Sequence, residues 1–474
     1  MRRERRAWYV YDWANSGYVT TTQTVLFAPY LTVVARRAAC PSLPDGQVCR
    51  QTLSVLGLPV APGSLALYAI TVATLLSALV LPLVGALADR VRRPARLLGA
   101  FAWTGAAAAS AMVALGGDRW WLGILLVLVA TVSLVCSLVV YDALLCEVSP
   151  PERRDATSSR GWALGYLGGF LLLALNLALV SNPQLLRVGE EGAVRLSLLS
   201  AGLWWALFTL VPVLGLRRMV RARAPDAVVA GTALDARAGA APAVVAVVVA
   251  PVRQLVSTLR GLRRYPQVWR FLLAYLVFND GIQTVIAAAS VYGQEELGFS
   301  SAQLITTVLL VQGVAFAGAL VFGAVAARTG AQRAVLGGLV LWSVVVLLAF
   351  GVPRGAFGTW LALAVLIGLV LGGTQALARS LYSQLVPVGA QAEYFSLYQA
   401  GERGTSWVGT LLFGLVAQLS GSYRPALVAL LAFFVVGALL LRRVDVAAGT
   451  RDARATADGP SDPDGTGSAV QHSA

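Results

Sequence analysis

Residues 11–23 read Tyr11-Asp12-Trp13-Ala14-Asn15-Ser16-Gly17-Tyr18-Val19-Thr20-Thr21-Thr22-Gln23, and Val25-Leu26-Phe27 follow at once. The run is long and apolar enough overall to enter a bilayer, so its polar groups enter with it. Asp12, Asn15, Ser16, Thr20 and Gln23 fall at i, i+3, i+4, i+8 and i+11, on one helical face. A carboxylate at the bilayer centre costs roughly 2.5–3.5 kcal/mol on the insertion scale, so such a face turns to a bundle interior or a wet cavity. The alternative for Asp12 is the rim of the helix, because Arg6 lies two turns upstream. A second run, Tyr275-Leu276-Val277-Phe278-Asn279-Asp280-Gly281-Ile282-Gln283-Thr284, repeats the pattern in the other half of the chain, well past the last preceding charge, Arg270. Together the two runs predict facing walls of one central cavity.

Composition sets the class. Of 474 residues 57% are hydrophobic and 13% charged, with mean hydropathy +0.72; a soluble domain carries about 25% charged residues. The chain therefore reads as an all-α polytopic membrane protein. Barrel strands are excluded because the apolar runs are too long and do not alternate. Twelve spans are expected, at about 9–35, 64–88, 97–115, 120–146, 161–181, 197–216, 268–291, 302–326, 334–351, 358–385, 402–420 and 424–441. Residues 1–216 and 268–441 then form two six-helix bundles, joined by a linker at 217–267 and followed by a disordered tail at 442–474.

The arginines orient the chain. All 37 basic residues are Arg, which suggests a bacterial genome rich in G and C, and the net charge is +14. With the N-terminus inside, 29 of the 37 fall on the inner side and 8 outside, so both termini are expected in the cytoplasm of a bacterial inner membrane. The basic excess then faces anionic lipid rather than nucleic acid. Within the linker, Val252, Leu255, Val256, Leu259 and Leu262 share a face flanked by Arg253, Arg260, Arg263 and Arg264. This is either an amphipathic helix in the inner leaflet or one packed on the protein. Cys40 and Cys49 share an outer loop, where they form a disulfide or remain two free thiols. The basic N-terminus resembles a signal peptide, but the polar residues after it and the absence of a small-residue cleavage site predict an uncleaved first helix.

The halves repeat. Gly85-Ala86-Leu87-Ala88-Asp89-Arg90 ends the second span and Gly323-Ala324-Val325-Ala326-Ala327-Arg328 ends the eighth. A parallel repeat of six helices is the plan of a rocker-type transporter, with its site between the halves. Gly85-x-x-x-Asp89-Arg90-x-x-Arg93 resembles the signature loop of the major facilitator superfamily. Tyr11–Ser16, the run Arg160-Gly161-Trp162-Ala163-Leu164-Gly165-Tyr166-Leu167-Gly168-Gly169 and Tyr275–Thr284 resemble one branch of it, the autophagy-related, vacuole-effluxer-like family, over about residues 8–445. The resemblance implies the major facilitator fold and, from fungal members, export of amino acids from the vacuole. It also implies a latch: Asp89 against the N-terminus of the eleventh helix, near Gly401–Thr405, and Arg90 and Arg93 reaching Asp142 or Glu147. Ala327 stands where the second copy would need its Asp, so the mirror latch should be weak or absent.

The expected function is secondary transport of a small polar, amino-acid-like solute, outward and coupled to protons. Export of an amphipathic compound or lipid is the rival reading. Asp12, Asn15, Gln23, Trp162, Tyr166, Asn279, Asp280, Gln283, Thr284 and Gln375 are the substrate and proton candidates, with Asn176, Gln312, Thr374 and Trp407 behind them. Arg160, Arg379, Glu402 and Arg403 are expected near inner helix ends, as rim pairs or substrate contacts. A membrane sensor or an enzyme is the weaker alternative, and the enzyme is disfavoured: no histidine lies in a span, no Cys/His metal spacing occurs and no phosphate-binding glycine loop is present. No cofactor or metal is expected, and the partners expected are the solute, the bilayer and protons, with the chain a monomer.

Overall fold

A computed structural model describes residues 2–41, 49, 51–219, 256 and 260–455, and statements of absence below concern these residues. Helix α1 is composite: Arg2–Tyr18, a widened π-helical stretch Val19–Leu26, and Phe27–Ala39. A short antiparallel hairpin follows, β1 Leu53–Val55 with β2 Leu58–Val60. The remaining helices of the first half are α2 Pro62–Arg90, α3 Pro94–Ala114, α4 Trp120–Val148, α5 Pro151–Ser181 and α6 Glu190–Gly215. The second half holds α7 Pro266–Glu296, α8 Ser301–Thr329, α9 Ala331–Phe350, α10 Phe357–Leu385, α11 Gln391–Ser420 and α12 Tyr423–Arg442. The described residues thus hold twelve long helices, six in each half.

Ten of these helices are long and apolar enough to cross a membrane by composition alone. The exceptions are α1 and α11, whose polar residues turn inward. Helix α11 begins at Gln391 rather than near 402 because Ala392 and Glu393 receive their cap from another helix. Its first turns carry Glu393, Gln399, Glu402 and Arg403, which hid them from an apolar count. Helix α1 likewise starts at Arg2, and its π stretch leaves Thr24 Oγ1 donating to the Val19 carbonyl at 3.1 Å. Such π segments concentrate at functional sites.

The tail corrects an expectation. Residues expected to be disordered include a helix, α13 Val446–Ala455. Asp445 Oδ1 accepts from Ala448 N at 2.9 Å, an N-cap. The Asp445 amide donates to Gln267 Oε1 (2.9 Å), and Gly449 packs on Leu385 and Gln267. Docking on α7 and α10 supplies the burial that composition alone did not promise. Cys40 and Cys49 form a disulfide, Cα–Cα 6.1 Å, beside the hairpin. Most of the amphipathic linker segment lies outside the described residues.

Both termini of the helical core share one face, the terminal face. There the halves meet closely. Arg154 Nη1 at the start of α5 donates to the Ser383 carbonyl of α10 (2.6 Å), and Gln384 Nε2 of α10 donates to Asp155 (3.1 Å). Asp89, ending α2, accepts from the Ala392 and Glu393 amides at 2.9 and 2.8 Å. These are unsatisfied first-turn donors at the positive end of α11. Gly85 makes the approach possible: a Cβ there would stand 2.7 Å from the Ala392 carbonyl oxygen. Asp89 thus caps the eleventh helix at its start by Gln391, well before Gly401–Thr405, where the cap was expected.

Candidate functional site

A cavity of about 450 Å³ lies between the halves. Helices α1, α4 and α5 wall one side, and α7, α8, α10 and α11 the other. Its floor, toward the terminal face, is charged; its lining then passes outward to exposed Thr24, Ile286 and Ser290.

The floor is built around Arg379 of α10, which is 3% exposed. Its Nη2 meets Asp12 of α1 at 3.0 Å and its Nη1 meets Asp142 of α4 at 3.3 Å. Its Nε donates to Ser158 Oγ (3.0 Å) and Nη2 also to the Ser158 carbonyl (3.3 Å), on α5. The guanidinium carbon stands 5.0 Å from the Trp8 ring and 5.3 Å from those of Tyr141 and Trp162. One cation of the second half is thus held by three helices of the first, α1, α4 and α5. Each aromatic face adds about 0.5–2 kcal/mol when desolvated. Tyr141 donates to Asp12 Oδ2 (2.7 Å) and Gln399 of α11 donates to Asp142 Oδ2 (2.9 Å), so both carboxylates are further satisfied. Gly161 is required here: a Cβ would sit 2.6 Å from Asp12 Oδ2 and 2.9 Å from Trp8. Removing one partner of such a buried pair typically costs about 3–5 kcal/mol, because it strands the other charge.

Several expected residues converge on the cavity. Asp12, Asn15, Gln23, Trp162, Tyr166, Gln283, Gln312 and Gln375 line it. Gln23 also donates to Thr131 of α4 (3.0 Å), and Gln312 to Thr20 of α1 (2.7 Å) across the halves. Asn15 donates to the Tyr11 carbonyl of its own helix (2.6 Å).

Others do not. Asp280 is buried but absent from the lining; its Oδ2 accepts from the Gly409 amide of α11 at 2.9 Å. Thr284 donates to the Asp280 carbonyl (2.7 Å), and Asn279 Oδ1 accepts from Gln375 (2.8 Å). The predicted facing of Asp12 and Asp280 across one cavity is therefore overturned: Asp280 turns to the α7–α11 crossing, and Gln283, three residues on, takes the cavity face. Asn176 makes an interhelical bond with Ser200 (3.0 Å), Thr374 bonds within α10, and the Trp407 side chain lies outside the described residues. The expected pairing of Arg90 and Arg93 with Asp142 or Glu147 is corrected for Asp142. Both arginines are exposed at the terminal face, whereas Asp142 points into the bundle, where Arg379 and Gln399 engage it.

Arg379 and Glu402 move from expected rim to interior. Glu402 lines the cavity, accepting from Tyr275 Oη (2.8 Å) and Gln283 Nε2 (3.5 Å). Arg403 lines it as well, with its Nε buried. Two signals pointed to this. Arg379 lies one helical turn from Gln375, and it stands 237 residues from Asp142, close to the repeat spacing. Gln399 was missed because it precedes the apolar run by which the eleventh span was recognised.

The family model described as Vacuole effluxer Atg22 like matches residues 1–149 and 147–454. YxiO, an uncharacterized MFS-type transporter of Bacillus subtilis (strain 168), is 28% identical over 442 residues, covering 93% of this chain and 94% of that one. Autophagy-related protein 22-1 of Phaeosphaeria nodorum is 26% identical over 86% of this chain and 80% of its own. Among solved structures, a bacterial homologue of the iron transporter ferroportin aligns with TM-score 0.63 and 13% identity, over 94% of this chain and all of that one. The Escherichia coli fucose:proton symporter aligns with TM-score 0.64 and 12% identity, over 94% and 98%. At that identity the two structures speak for the fold alone.

Proposed function

The chain belongs to the Atg22-like vacuole effluxer family and is a membrane transporter; from that premise we propose that it is a proton-coupled exporter of a small, amino-acid-like solute, working by alternating access. The observation that carries this is the Arg379 cluster. It joins the two halves through buried charges at the floor of a cavity whose lining reaches exposed residues toward the opposite face. For the terminal face to open, Arg379 must leave Asp12 and Asp142. Two carboxylates around one guanidinium leave a net negative charge, and a proton on either one weakens the join. Proton arrival and opening are coupled in this reading. In the cell both termini face the cytoplasm, the membrane is the bacterial inner membrane, and the transporter acts as a monomer.

Proteoliposomes carrying the full chain and loaded with a labelled amino-acid mixture test it. The expected result is solute exchange that an imposed pH gradient accelerates. Exchange indifferent to the gradient removes the proton, and exchange of no amino acid removes the cargo class.

A further inference from the structure

We propose that Arg403 is the receptor for the carboxylate of the cargo. This rests on the transport reading of the same cavity. Five charged side chains line it: Asp12, Asp142, Arg379, Glu402 and Arg403. Four of them are already engaged. Arg379 donates to Asp12, Asp142 and Ser158 and is enclosed by three aromatic rings. Glu402 takes bonds from Tyr275 and Gln283.

Arg403 differs. Its Nε is buried without a hydrogen-bond partner, and among the described residues no carboxylate lies within ion-pair distance of it. A guanidinium at membrane depth with open donors calls for an anion, and its planar fork fits a carboxylate bidentately. With three acidic and two basic side chains the lining is net negative, which disfavours a multiply charged phosphate. A monocarboxylate fits, as does a zwitterion whose ammonium faces Glu402.

The test uses three probes of one shape on the purified full-length chain: leucine, leucinamide and 4-methylpentanoate, with binding measured by calorimetry. The wild type is expected to bind both carboxylates and to prefer leucine over leucinamide by about 30-fold. Arg403→Gln should reduce that preference to within about threefold, and Arg403→Lys should restore part of it, since it keeps the charge and loses the fork. The wild-type comparison of acid with amide needs no variant to fold. Equal binding of leucine and leucinamide overturns the assignment, as does Arg403→Gln with the preference intact. Binding of none of the three overturns it as well; the transport reading is then judged separately by exchange of the amino-acid mixture in proteoliposomes.

Discussion

The two halves of the molecule share a plan and differ in charge. Asp142 in the first half and Arg379 in the second stand 237 residues apart, and they bind each other. Asp89 in the first half caps α11, while the matching Ala327 offers no carboxylate. A duplicated bundle with identical charges at related positions would repel across its own pseudo-symmetry axis. Opposite charges at those positions turn the axis into a join, so the halves hold together by their differences.

Breaking the join should have the largest effect. Arg379→Met leaves Asp12 and Asp142 buried together without their cation, and should destabilise by about 3–5 kcal/mol. Thermal unfolding of the purified protein measures this. The triple variant Asp12→Asn, Asp142→Asn, Arg379→Met should recover much of the loss, because no charge is left stranded. A single Arg379→Met that melts like the wild type would show that the cluster does not hold the halves.

Removing one charge should weaken the join with a smaller structural cost. Cys146 is a native reporter: it is half-buried at the closed terminal face, its Sγ 3.7 Å from the Ser383 carbonyl of the other half. In a Cys136→Ala background, Asp142→Asn should raise maleimide labelling of Cys146 about tenfold, equivalent to about 1.4 kcal/mol in the opening equilibrium. Unchanged labelling would place Asp142 outside the gating step. Asp89→Ala removes the carboxylate that accepts from two amides at the start of α11. A lost helix cap is worth about 0.5–2 kcal/mol, so labelling should rise about fivefold. If Asp89→Ala opens the face more than Asp142→Asn, the rim rather than the buried cluster governs closure.

The contrast between α1 and α10 explains how much of this was legible. Asp12 was readable because it stands inside an apolar context with polar neighbours at helical spacing. The bundle plan and the span order followed from composition, arginine bias and repetition, and the signature glycine at Gly85 from the family resemblance. Arg379 carried a helical-turn relation to Gln375, but its charge drew it to the rim in a topology count. Arg379 and Arg403 belong to neither side, since both line the cavity. Asp280 failed for a different reason. Successive helical residues turn by about 100°, so residues 280 and 283 face directions about 60° apart, and sequence does not say which of the two meets the cavity. That depends on how α7 is rotated against α11, where the Gly409 amide claims Asp280. Gln399 was hidden by the polarity of α11 itself, whose start is fixed by Asp89 from a distant part of the chain.

The smallest expected effect tests whether the asymmetry at the rim can be undone. Gly323 packs on Ser159 of α5 as Gly85 packs on Ser396 of α11, so an acidic residue at 327 would approach the first-turn amides of α5. Those amides attract negative charge, but Asp155 is already there, accepting from Ser380 and Gln384 of α10. Attraction to the helix end and repulsion from Asp155 oppose each other at similar size. Ala327→Asp should therefore change stability by no more than about 0.5 kcal/mol and leave Cys146 labelling within about twofold of the parent. Adding Asp155→Ser should unmask the attraction and slow labelling. A gain from Ala327→Asp alone would mean that Asp155 does not occupy the place of the missing cap.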